Sequence, residues 1–323
     1  MSLISQILAE GPRTRSSWNA RFEHWERPPS DTEEAQINRA ASMVRTALVG
    51  NAWLQAENVT IAPQGSYFNN TNVRLESDMD LRAVHPLIRI EYHQGVLVEC
   101  AQRVHQIPQS GRYFTDVVAD MRREVAVAMG AKFGAANIDA SGNKAIRIKK
   151  LPGSRADVDV VPVFKYLWIW WNERTSQYCK NEGVTILSKN GVWTNNFPDQ
   201  HYANGVAKRA RTAHRFKKQV RIFKRLRDEL VGELKLSAGR APSFFVECLT
   251  YAVEDAYFLG DGDDRYERTI RILYRMWELL NDPAWTSTAM EINGIKFLFH
   301  ASQPWTVEDA KAFVAVAFGQ LRV

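Results

Sequence analysis

Cysteine is scarce in this chain. Cys100, Cys179 and Cys248 are scattered through 323 residues, with no CxxC pair and no Cys/His spacing. That excludes a disulfide framework, argues against a structural zinc site and fits a reducing compartment. No hydrophobic run approaches a membrane span, and the opening MSLISQILAE lacks a basic segment followed by an apolar core. A cytoplasmic protein without a membrane partner is therefore expected. Internal repeats and low-complexity tracts are absent too. The composition, 45% hydrophobic and 24% charged, is that of a globular chain long enough for two lobes sharing a cleft.

Acidic residues are missing from one place in particular. Lys208 to Arg227 holds ten Lys/Arg and no acid, while the rest of the chain has 32 basic against 36 acidic residues. The net charge of +6 thus comes from one segment, which implies an anion met at one place. Three readings suit it: a solvated helix face, a nucleic-acid surface, or a triphosphate site. Lys217, Arg221, Lys224 and Arg225 follow helical spacing beside the apolar stripe of Phe216, Val220 and Phe223. That arrangement favours the triphosphate. Arg209 and Arg211 precede the stripe and are assigned to solvent.

The segment PQGSYFNNTNVRLESDMDLRAV, Pro63 to Val84, contains more than a turn requires. On a strand, residues two apart point the same way, so Asp78 and Asp80 share a face opposite Met79 and Leu81. Paired carboxylates repel unless a cation lies between them, and hard oxygen ligands suit Mg²⁺. The later ADVDVVPVF repeats the pattern, with Asp157 and Asp159 on one face of a strand. A third carboxylate is what two-metal phosphoryl transfer needs, and a Gly65-Ser66 turn lets backbone and hydroxyl approach phosphate. Each signal alone also fits a solvated edge or an unrelated metal site. Their conjunction points to nucleotidyl transfer.

The rest of the first half reads as a mixed sheet with flanking helices. The spacing predicts a helix capped by Ser30 and Glu33, with Ile37, Ala40, Val44, Ala47 and Leu48 as its stripe. A strand is expected over Val59–Ala62, ending at Pro63, and a helix capped by Thr115. KAIRIKK and ADVDVVPVF read as paired strands, joined by a hairpin at Pro152-Gly153-Ser154, and Asn190-Gly191 favours a type I′ turn. The aromatic FKYLWIWWN is read as core packing rather than base stacking. Asn69, Asn70 and Asn72 suit either a base edge or bracing of their loop. Beyond about Asn204 the pattern is helical.

GSYFNNTNVRLESDMDL resembles the GS…DxD signature of the polymerase-β-like nucleotidyltransferases, and VDVVPVF their third-aspartate strand. With PPSDTEE, QHYANGVAK, RFKKQVRIFKRLRDEL and PSFFVECLTY, the pattern from about Pro28 onward resembles the bacterial cGAS/DncV-like nucleotidyltransferases, most closely their CdnE group. The resemblance implies an α+β fold. A nucleotidyltransferase core lobe (1–203) would join a helical lobe (204–323) with the active site in the cleft, and the N-terminal helix can pack on the second lobe. It also implies a metal triad of Asp78, Asp80 and Asp159 holding two Mg²⁺, or Mn²⁺, with Asp157 as second choice for the third ligand. Gln64, Gly65 and Ser66 would form the phosphate turn, while Lys224 and Ser243 would contact donor phosphates.

The implied reaction joins two ribonucleoside triphosphates, ATP and UTP foremost, into a cyclic dinucleotide such as cyclic UMP–AMP. Pyrophosphate is released, and the setting is antiphage defence, where the messenger activates a separate effector. A monomer is expected. The zinc-binding insertion of animal cGAS is missing, which removes that route to DNA. Two other readings stand beside this one: nucleotide addition to RNA or protein, and a catalytically silent scaffold.

Overall fold

The computed structural model describes residues 14–73, 79–107, 110–151, 154–260 and 264–322. The chain divides into two compact units. One comprises residues 14–29, 69–73 and 200–322; the other comprises 30–68 and 79–199. The boundary at Asp199/Gln200 lies slightly ahead of the expected one, and 69–73 is drawn out of the sheet-bearing half into the helical unit. The first helix, α1 (Arg15–Trp25), counts with the helical unit.

The sheet unit begins with α2 (Asp31–Val49), where Ser30 and Glu33 cap reciprocally. Its buried stripe is Ile37, Ala40, Ala41, Val44 and Leu48, with Ala41 taking the place expected for Ala47. There follow α3 (Ala52–Ala56), β1 (Thr60–Gln64), α4 (Gly65–Phe68), β2 (Met79–Tyr92), α5 (Val98–His105) and α6 (Phe114–Phe133). The remaining strands are β3 (Ile138–Asp139), β4 (Ile146–Ile148), β5 (Val158–Asn172), β6 (Gln177–Leu187) and β7 (Trp193–Asn196). The sheet runs β1-β2-β5-β4-β3, with β6 paired to β5 and β7 to β6. Among the described residues only β2 and β5 pair in parallel.

Several local expectations are corrected. Pro63 lies inside β1 rather than ending it, which an edge strand tolerates because its outward N–H is not needed. Helix α6 starts at Phe114 with Tyr113 at its N-cap, not after a Thr115 cap, and the Phe114 ring packs edge-on against Phe164 and Trp193. At Asn190-Gly191 only Gly191 has positive φ, whereas a type I′ turn needs it at both centres. Residues 188–192 form a longer loop instead, closed by Ser188 N–H to the Val192 carbonyl. Trp168, Trp170 and Trp171 are not core: none is buried, and Phe164, Tyr166 and Ile169 fill that role on β5. Pro152 and Gly153 lie outside the described residues.

The helical unit contains α7 (Pro198–Arg211, whose first two residues count with the sheet unit), α8 (Arg215–Gly232), α9 (Ser243–Ala252), α10 (Arg265–Leu280), α11 (Pro283–Thr288) and α12 (Val307–Leu321). Trp18 and Phe22 of α1 are fully buried in one cluster with Phe216, Phe223, Phe245 and Phe313. Lys208, read from the sequence as part of a charged run, is buried among Phe216, Tyr251 and Phe258, and its ammonium donates to Asp255 at 2.8 Å. The first helix is thus structural. Phe22→Ala should cost about 3–5 kcal/mol, read as a lower urea midpoint; an unchanged midpoint would contradict its core role.

Candidate active site

Strand pairing builds the first part of the site. Gln64 on β1 is register partner of Asp80 on β2, Asp80 of Asp159 on β5, and Asp159 of Arg147 on β4. Register partners share a face, so four polar side chains form one row across four strands. The alternate residues Met79, Leu81, Val158, Val160, Ile146 and Ile148 are buried in the core cluster that α2 and α6 also enter. Burying one face therefore drives both aspartates to the other.

Gly65 has φ +77°, and a Cβ placed there would lie 2.0 Å from Asp80 Oδ2. Only glycine lets the backbone turn pass so close to this carboxylate. Ser66 follows, half-buried, as the second residue of α4. Asp159 accepts two bonds from Arg147, Nε to Oδ1 at 2.7 Å and Nη2 to Oδ2 at 2.8 Å. The strand expected to include Asp157 begins only at Val158, and the Asp157 carboxylate accepts the Lys150 N–H at 2.9 Å. That separates it from the row.

The residues present suit a hard divalent cation. Two carboxylates stand at one level on adjacent strands, beside a turn that only glycine can make. Among the described residues no three His, Cys, Asp or Glu side chains gather into a metal cluster; the expected third ligand, Asp78, lies outside them. Arg82, next on the Asp80 face, is buried and donates from Nη2 to Asp199 at 2.6 Å. Neither Arg82 nor Arg147 was singled out from sequence. The alternation in KAIRIKK, aligned with VDVVPVF, was the available signal for Arg147.

The helical unit holds a second polar cluster. The Lys224 ammonium is buried and spent on Glu247 at 2.8 Å and Thr71 Oγ1 at 3.2 Å, while Thr71 Oγ1 also donates to Glu247. His201 meets the other Glu247 oxygen at 3.1 Å. Burial pushes the Glu247 carboxyl up, but Lys224 and His201 outweigh it and hold it well below the usual range. Arg221 is buried as well, donating to the carbonyls of Glu26 and Asn70 and to Asn70 Oδ1. The basic stripe is therefore mostly interior, and Asn70 braces its loop. Ser243 is exposed at the start of α9, one turn before Glu247. Lys217 is 5% exposed, with its ammonium 5.6 Å from the Tyr202 ring centre. No described residue forms a hydrogen bond or ion pair with it. Burial pushes its pKa down to about 8, with Glu247 opposing and Arg209 and Arg221 adding to the shift.

Residues 203–321 match the model of the cGAS/DncV-like nucleotidyltransferase C-terminal helical domain. The cyclic dipyrimidine nucleotide synthase CdnE of Legionella pneumophila is 31% identical over 94% of this chain and 98% of its own length. The chain belongs to the cGAS/DncV-like nucleotidyltransferases. The cyclic dipyrimidine nucleotide synthase CdnE of Cecembia lonarensis is 27% identical, covering 92% of this chain and 96% of its own. The CdnE cyclic dinucleotide synthase of Elizabethkingia meningoseptica, solved with GTP and Apcpp, matches with a TM-score of 0.73 at 25% identity, over 94% of this chain and 99% of that one. The architecture is accordingly the polymerase-β-like fold of these nucleotidyltransferases. No helix among the described residues is long and apolar enough to cross a membrane.

Lys224 and Lys217, both buried, predict opposite effects on stability. Lys224→Ala leaves Glu247 buried with one cation fewer and should cost about 3–5 kcal/mol. Lys217→Met removes a buried ammonium that no described residue pairs with and should stabilise at pH 7 by roughly 1–3 kcal/mol. The folded Lys217 pKa lies below the unfolded value of about 10.4, so its penalty is full below pH 8 and relieved as pH rises. The advantage of Lys217→Met should shrink between pH 8 and 10. Calorimetry at pH 7 and 10 checks both; a destabilised Lys217→Met at pH 7 would refute the assignment.

Proposed function

We propose that this nucleotidyltransferase joins two ribonucleoside triphosphates, without a template, into a cyclic dinucleotide containing at least one pyrimidine, ATP and UTP being the favoured pair. The observation that carries the reading is the register pairing of Asp80 with Asp159 beside Gly65, in a chain similar over nearly its whole length to a cyclic dipyrimidine synthase. In each half-reaction a ribose hydroxyl attacks an α-phosphorus. One P–O bond forms, the α–β bridge breaks, and pyrophosphate leaves; repeating this in the other direction closes the ring.

Asp80 and Asp159, with Asp78, are assigned to hold two Mg²⁺ or Mn²⁺ ions. When bound, these ions supply acidity to the attacking hydroxyl and charge to the leaving pyrophosphate. Gln64, Gly65 and Ser66 orient phosphate oxygens, with glycine keeping the turn tight against Asp80. In the helical unit, Ser243 and Lys217 are assigned to phosphate recognition. Lys224 is assigned as a positioning residue that fixes Thr71 and its loop through Glu247. The implied setting is a monomer in the cytoplasm, signalling phage infection to a separate effector.

Products from all four ribonucleotides, analysed by mass spectrometry with each triphosphate omitted in turn, test the reading. Omitting UTP and CTP together should abolish the cyclic product. A purine-only ring formed at full yield would overturn the pyrimidine assignment, and the absence of any cyclic product with either cation would overturn the activity.

A further inference from the structure

Arg147 closes the row Gln64–Asp80–Asp159–Arg147, and its fork takes both oxygens of Asp159. Its strand, β4, is only three residues long, yet Ile146 and Ile148 on either side are fully buried. The backbone under Arg147 is therefore anchored while its side chain stays 47% exposed, against 17% for Asp159. The guanidinium can leave Asp159 without disturbing the core. Asp159 needs a counter-charge because Asp80 is its direct neighbour on the next strand, and like charges at such positions repel.

Each Asp159 oxygen keeps a second lone pair beside the fork, but a divalent ion there meets the guanidinium's positive charge at close range, so cation and guanidinium compete. A half-exposed ion pair is weak enough to exchange, and a freed planar fork matches the oxygens of a phosphate. We propose that Arg147 is the displaceable counter-ion of Asp159. It holds the carboxylate aimed before the cation arrives, gives it up on metal binding, and then donates to phosphate oxygens of the bound triphosphate. The inference rests on the assignment of Asp159 as a metal ligand.

Electron paramagnetic resonance of free Mn²⁺, titrated with the full chain in the absence of nucleotide, separates the two claims. Arg147→Gln should bind Mn²⁺ about two- to fivefold more tightly than wild type. Arg147→Lys, which keeps the charge but loses the fork, should also bind more tightly, by a smaller factor. Unchanged affinity in both variants overturns the proposal. So does Arg147→Lys behaving as wild type while Arg147→Gln tightens, since long-range charge alone would then explain the effect. Asp159→Asn should lose this binding; if it does not, the metal assignment itself fails. With Mn²⁺ saturating, affinity for a non-hydrolysable triphosphate should fall several-fold in Arg147→Gln, and an unchanged value overturns the phosphate role. Melting curves on each variant establish that it is folded, and Arg147→Lys carries the test if Arg147→Gln is not.

Discussion

The parallel pairing of β2 with β5 is the constraint on which the sheet unit depends. Its register sets Asp80 directly beside Asp159, an arrangement that costs energy in the absence of cations. The cost is held because both strands bury their alternate residues, Met79, Leu81, Val158 and Val160, under helices. A slip of one residue would turn those apolar side chains outward and the aspartates inward. Hydrophobic burial thus fixes the carboxylate geometry, and Arg147 and the Gly65 turn are arranged around it.

The helical unit uses charge differently. Lys224, Glu247 and His201 form a buried network whose members are all satisfied, together with Thr71. Such a network specifies one arrangement of α7, α8, α9 and the 69–73 segment more than it adds stability. Lys217, two turns before Lys224 on the same helix, has no hydrogen-bond or ion-pair partner among the described residues, only the Tyr202 ring and the field of Glu247. A buried cation so weakly compensated is tolerated at functional sites more than elsewhere.

Much of this was legible in the sequence because burial periodicity and local chemistry agree. The Ser30–Glu33 cap, the stripe of α8 and the alternation around Asp159 all follow from short-range patterns that tertiary packing did not override. What could not be read depended on partners distant in sequence. Whether a lysine faces solvent or a glutamate is decided by Glu247, 23 residues beyond Lys224. Likewise the Asp157 carboxylate, just before β5, is taken by the Lys150 backbone N–H seven residues earlier. The alternation of KAIRIKK marks Arg147 as opposite Ile146 and Ile148, but its partner Asp159 follows only from the register of β4 on β5.

The central claim is that Asp80 and Asp159 together hold the cation at which nucleotidyl transfer occurs. Anomalous diffraction from crystals grown with Mn²⁺ and a non-hydrolysable triphosphate analogue tests it most directly. The account predicts a Mn²⁺ peak within coordination distance of both carboxylates and of the analogue's phosphate oxygens, with Arg147 no longer on Asp159. Mn²⁺ bound elsewhere, with the Arg147–Asp159 fork intact and the triphosphate distant from the row, would contradict it.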